Sequence, residues 1–132
     1  MKVIQLLPEL KVGGVERGTV DLSDHLVKLG HHSAVISAGG YLVDFLDDHG
    51  GKHYMLPIAK KNFTALSQIS NLQEIYSEFQ PDIVHVRSRF PAWINYFALK
   101  NFKDKKPLVV STFHGLYSKP FYSKSMSYAD EI

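Results

Sequence analysis

The sequence predicts an α/β fold: a Rossmann-like, doubly wound parallel sheet with helices on both faces. Three observations carry this. Short apolar runs alternate with stretches of helical period along the whole chain. The apolar runs show little polar alternation, as strands covered on both faces do. Each is separated from the next by enough residues for a helical crossover, the connection that parallel strands need.

Val3, Ile4, Leu6 and Leu7 form the first strand, which gives way to a loop holding Gly13 and Gly14, and a helix follows at once. In a parallel sheet this loop lies at the carboxyl edge, where ligands bind. Glycines let backbone amides approach a ligand and a helix N-terminus favours an anion, so the loop is a candidate for a phosphate-bearing ligand. A plain strand-to-helix turn explains the same residues equally well. His32–Ser37 reads as the second strand, and Tyr41–His49 as a short helix closed by Gly50–Gly51. Lys52–Leu56 is the third strand, stopped by Pro57. Phe63, Leu66, Ile69, Leu72, Ile75, Tyr76 and Phe79 recur at helical spacing and are read as a core-facing stripe. Gln80–Pro81–Asp82 breaks that helix; Ile83–Val86 is strand four, Ala92–Phe102 a helix and Pro107–Phe113 strand five. Met126–Ile132 reads as a helix end leading into another strand, so residues 1–132 are expected to form one domain, incomplete at its C-terminal end.

At 132 residues and 45% hydrophobic content, one domain with a real core is expected. A net charge of +2 is too small to point to nucleic acid. The basic residues are scattered (Lys60–Lys61, Lys100–Lys106, Lys119, Lys124), which leaves local attraction to an anionic membrane surface open. With no cysteine, there are no disulfides, thiolate metal sites or Cys nucleophiles. The first residues lack the apolar region of a signal peptide, and no apolar run reaches the ~18 residues of a membrane span, so the expected location is cytoplasmic.

Several chemistries fit poorly. A dinucleotide fingerprint needs G-x-G-x-x-G and an acidic residue after strand two. Here the glycines fall at 13, 14 and 18, and strand two ends Ser37–Ala38–Gly39–Gly40. There is no phosphate-binding G-x-x-x-x-G-K-[ST], no G-x-S-x-G for a serine hydrolase and no H-E-x-x-H. His31 and His32 are adjacent and would face opposite sides of a strand; His25, His49 and His53 lie near element ends and are read as solvated. No metal site is expected. What remains is a crevice formed by the loops after strands one, four and five. It would bring together Gly13 and Gly14, Arg87, Ser88 and Arg89, and Ser111 with His114. Arginine pairs bidentately with phosphate or carboxylate, and histidine hydrogen-bonds a sugar hydroxyl or a phosphate. Surface ion pairs for the arginines and a capping or core role for His114 are the plainer alternatives. Trp93 is read as helix packing.

Gly13–Gly14–Val15–Glu16 resembles the G-G-x-E loop of glycosyltransferase family 4, retaining enzymes of the two-domain GT-B fold. Pro81–Trp93 (PDIVHVRSRFPAW) and Ser111–Tyr117 (STFHGLY) resemble a bacterial branch linked to lipopolysaccharide and other surface glycans. The resemblance covers essentially the whole chain, aligned with the N-terminal, acceptor-side domain. It implies a Rossmann-like half of a GT-B enzyme that transfers a sugar from a nucleotide-sugar to a glycan or lipid-linked acceptor, without a metal or cofactor. It implies that the amides near Gly13 and Gly14 approach the donor diphosphate, that His114 sits at the reaction centre, and that Arg87, Ser88 and Arg89 line the acceptor side. The family's second domain binds the donor through E-x7-E. Glu9, Glu16, Glu74, Glu78 and Glu131 include no pair at that spacing. The donor domain is therefore expected to be absent, and the chain inactive without a C-terminal half on another chain. A stand-alone anion- or protein-binding module and an inactive remnant remain the alternatives. An uncovered edge strand would make self-association plausible.

Overall fold

A computed structural model describes residues 1–11, 13–59 and 67–112. Among the described residues five strands form one parallel sheet: β1 (Lys2–Leu6), β2 (His32–Ser37), β3 (Lys52–Met55), β4 (Ile83–Val86) and β5 (Leu108–Ser111). Their order is β3-β2-β1-β4-β5. The sheet grows one way from β1 through β2 and β3, and the other way through β4 and β5. The topological switch point thus lies between β1 and β4, where the loops part and a crevice opens at the carboxyl ends. Among the described residues four helices accompany these strands: α1 (Gly14–Lys28), α2 (Leu42–Asp48), α3 (Ile69–Phe79) and α4 (Arg89–Lys100).

Strand β1 shows how the layers separate. Successive side chains on a strand point to opposite faces. Ile4 and Leu6 join Ala34, Ile36, Val84 and Val86 under Leu72 and Tyr76 of α3 and Ala92, Ile94 and Ala98 of α4. Leu7 joins Val35, with Val20 of α1 and Leu46 of α2, on the other face. Helices therefore cover both faces, as expected, but unequally: among the described residues the cluster under α3 and α4 is much the larger.

The helical stripe is core as read. Leu72 and Tyr76 are fully buried, and Ile69, Ile75 and Phe79 pack against that cluster; Phe63 and Leu66 lie outside the described residues, as do Phe113 and the end segment Met126–Ile132. Helix α3 stops at Gln80, which takes the left-handed conformation (φ 56°) usually left to glycine, with Pro81 beyond it. Helix α4 begins three residues earlier than expected. Ser88 is its extended N-cap, and Pro91 falls in the first turn, where its missing N–H leaves no intrahelical bond unmade. No helix among the described residues is long and apolar enough to cross a membrane.

The loops after β1 and β2 are locked together by their backbones. The Ala38 N–H donates to the Pro8 carbonyl (2.8 Å), the Leu10 N–H to the Gly39 carbonyl (3.0 Å) and the Leu42 N–H to the Leu10 carbonyl (2.9 Å). Gly40 (φ 150°) makes this approach possible: a Cβ there would overlap the Leu10 carbonyl and sit 2.8 Å from the Lys11 nitrogen.

Candidate functional site

The crevice is built from β1 and β4 outward. Leu6 and Val86 are register partners, and the Arg87 N–H donates to the Leu6 carbonyl at 3.0 Å. Arg87 is thereby fixed at the switch point itself. Its side chain is half-buried, and its Nε donates to Gln5 Oε1 at 2.8 Å. Gln5, on β1, is fully buried. Burial pushes the Arg87 pKa below its ordinary value, which still leaves the guanidinium charged at neutral pH. Among the described residues Arg87 has no carboxylate partner. A half-buried cation held on one edge has the donor chemistry that suits an oxyanion.

The glycine loop flanks this point. Gly13 is the N-cap of α1 in extended conformation, without a side-chain cap, and Gly14 opens the helix. A Cβ at Gly14 would meet nothing within 4 Å, so this surface is open to a ligand. Gly13 differs. The space beside it is taken by the Glu16 carboxylate, which lies on the first turn of α1 and suits the positive end of that helix. An anion approaching the Gly13 amide must first displace or repel that carboxylate.

The arginine cluster divides. Arg87 closes β4, Ser88 caps α4, and Arg89 is the first residue of α4 rather than part of a loop. Behind Arg87, His85 shares the α1 side of β4 with Gln5, its register partner, and its Nε2 lies 2.5 Å from Thr112 Oγ1. Ser111 is buried at the end of β5. His114 lies outside the described residues.

Two further polar groups went unread in the sequence. Gln5 interrupts an otherwise apolar strand covered on both faces, and that interruption was the available signal. His53, read as solvated, is half-buried, and its Nε2 lies 2.7 Å from Ser37 Oγ. Burial lowers its pKa, and the tautomer of the ring sets the direction of its bond to Ser37, whose Oγ also accepts from the Gly39 N–H (3.0 Å). His25 and His49 are exposed as expected. Trp93 packs along its own helix, stacked on Phe97 with centroids 5.7 Å apart. Among the described residues no three His, Cys, Asp or Glu side chains gather in a group able to hold a metal. A groove between α3 and the connection from α4 to β5, lined by Gln73, Ser77 and Asp104, contains none of the candidate residues.

Residues 12–130 match the model of Glycosyltransferase Family 4. The crystal structure of a glycosyltransferase from Rickettsia africae ESF-5 is 40% identical over 90% of this chain, with a TM-score of 0.76. Two sugar epimerases share the fold alone. A UDP-GlcNAc 2-epimerase from Neisseria meningitidis, solved bound to UDP-GlcNAc, is 20% identical over 93% of this chain (TM-score 0.55). A putative UDP-N-acetylglucosamine 2-epimerase from Listeria monocytogenes is 14% identical over 91% (TM-score 0.53). The chain spans 31%, 34% and 32% of these three proteins, respectively. No curated protein matches it.

Proposed function

Because the chain belongs to glycosyltransferase family 4, we propose that it is the acceptor-side domain of a retaining GT-B enzyme. That enzyme moves a sugar from a nucleotide-sugar to a glycan or lipid-linked acceptor of the cell-surface, lipopolysaccharide type. The observation that carries this reading is Arg87: a half-buried cation at the β1/β4 switch point, beside the open surface of Gly14.

In this reading the amides at Gly13 and Gly14 approach the donor diphosphate, with Glu16 turned aside. Arg87, Ser88 and Arg89 line the acceptor side, and His114 serves at the reaction centre. The transition state resembles an oxocarbenium ion. The protein's tasks are to stabilise the departing diphosphate and to hold the acceptor hydroxyl on the same face of the sugar. Neither task calls on a metal or cofactor of this chain. A second, C-terminal domain supplies most of the donor site, so the chain alone is not a competent transferase. The location that fits such an acceptor is the cytoplasmic face of the membrane; exposed Lys103, Lys105 and Lys106 between α4 and β5 would favour an anionic surface. Leu108, 46% exposed on edge strand β5, is the site where self-association would begin.

The test is a calorimetric and NMR titration of the chain with UDP- and GDP-sugars, repeated with Gly14→Val and His114→Ala. Saturable binding that Gly14→Val abolishes is expected, with no sugar transfer by the chain alone. A folded chain that binds neither donor overturns the role given to the glycine loop. Robust transfer by the isolated chain overturns the need for a second domain.

A further inference from the structure

We infer that Gln5 is a positioning residue that aims the Arg87 guanidinium at an oxyanion of the bound ligand; the inference rests on the reading of Arg87 as a ligand contact. Gln5 lies mid-sheet, between Val35 on β2 and His85 on β4, and is fully buried. A buried amide is costly unless both of its ends are bonded. Here they are. Gln5 Nε2 donates to the Thr19 carbonyl at 2.9 Å, and Gln5 Oε1 accepts from Arg87 Nε at 2.8 Å. The polarity of these partners admits one orientation of the amide. Turned over, its NH2 would face the Arg87 N–H, and its oxygen would face a carbonyl.

This orientation has a consequence for Arg87. The guanidinium is held through Nε, its inner edge, and among the described residues neither Nη group has a hydrogen-bond or carboxylate partner. Two parallel Nη donors match the paired oxygens of a phosphate or carboxylate. Thr19 belongs to α1, the helix that Gly14 opens. Gln5 therefore references two separate parts of the crevice, the start of α1 and the end of β4, to one strut. An apolar side chain of similar volume would fill the same space without supplying an orientation, which is what Gln5 adds.

The experiment follows the Arg87 Nε–Hε resonance, assigned by its loss in Arg87→Lys, during titration of the chain with inorganic pyrophosphate, which stands in for an oxyanion presented to Arg87 from either the donor or the acceptor side. In the unmodified chain this proton is expected to exchange slowly and to shift on saturation. In Gln5→Met the protection is lost and Kd rises about ten-fold, the size of one hydrogen bond to a charged group. In Gln5→Glu the new carboxylate pairs with Arg87 and the pyrophosphate response disappears. Unfolding midpoints are recorded for each variant, and Kd is compared only where the chain is folded. Rapid exchange of the Arg87 Nε proton in the unmodified chain overturns the inference without any variant. A Gln5→Met chain that is less stable but binds pyrophosphate with unchanged Kd also overturns it, leaving Arg87 as a contact. An Arg87 resonance that never responds to pyrophosphate overturns the reading of Arg87 and, with it, the inference.

Discussion

Gly14 and Gly40 both lie in connections at the carboxyl edge of the sheet, yet the structure assigns them opposite sensitivities. Alanine at Gly40 would have to hold φ near 150°, and its Cβ would sit 2.5 Å from the Leu10 carbonyl carbon. The obstacle is backbone, so it cannot rotate away. A dihedral of this kind costs an alanine about 1–3 kcal/mol. Pushing the Leu10 loop aside also weakens the bonds between the two loops, each contributing about 1 kcal/mol. Together Gly40→Ala should lose about 2–4 kcal/mol, which for a domain of this size lowers Tm by roughly 10 °C. Gly14→Ala faces open space at a helical position and should be neutral or gain up to about 0.5 kcal/mol. Thermal unfolding followed by circular dichroism separates the two. The reasoning fails if Gly40→Ala melts with the unmodified protein, or if Gly14→Ala falls as far as Gly40→Ala.

Two other outcomes follow from buried polar groups. The Tyr76 hydroxyl donates to Asn95 Oδ1 at 2.5 Å inside the larger cluster. Tyr76→Phe orphans that oxygen and should cost about 1–3 kcal/mol, read as a lower denaturant midpoint at unchanged slope; an unchanged midpoint counts against the bond. His53 is held neutral by burial, its folded pKa lying below the ordinary 6.5. Protons then bind the unfolded state more readily. This contribution to stability is fully present above about pH 6.5 and is lost as pH falls through the lowered folded value, where the half-buried ring must take a charge. An NMR titration of His53 with a midpoint above 6.5 would contradict this.

The sheet was legible because apolar runs covered on both faces leave few other readings. Strands β2 and β4 have the expected bounds, and β1, β3 and β5 differ by a residue or two at their ends. Helix α4 starts at Arg89 rather than at the expected Ala92, because Pro91 in a first turn leaves no intrahelical bond unmade. Gly39–Gly40 was read only as the lack of a ribose-binding carboxylate; the pair instead admits the Leu10 backbone, a demand set by a neighbour distant in sequence. Arg87 was found because it follows a strand that must end at the crevice. Gln5 was passed over because a single polar residue in an apolar run shows neither its partner nor its orientation until β4 is laid beside β1.

The unequal covering of the two faces has a bearing on how the crevice moves. Amide exchange in native proteins proceeds through local openings whose free energies follow the amount of apolar packing in each unit. Helices α1 and α2 rest on the smaller cluster, so their amides should exchange well before those of α3 and α4. The Gly13–Gly14 loop, the Gly39–Gly40 turn and the Thr19 anchor of Gln5 all belong to that less protected layer. A ligand spanning α1 and Arg87 would therefore act as a clasp on the thin side of the sheet. Its first visible trace would be slowed exchange along α1, at occupancies too low to move the global unfolding midpoint.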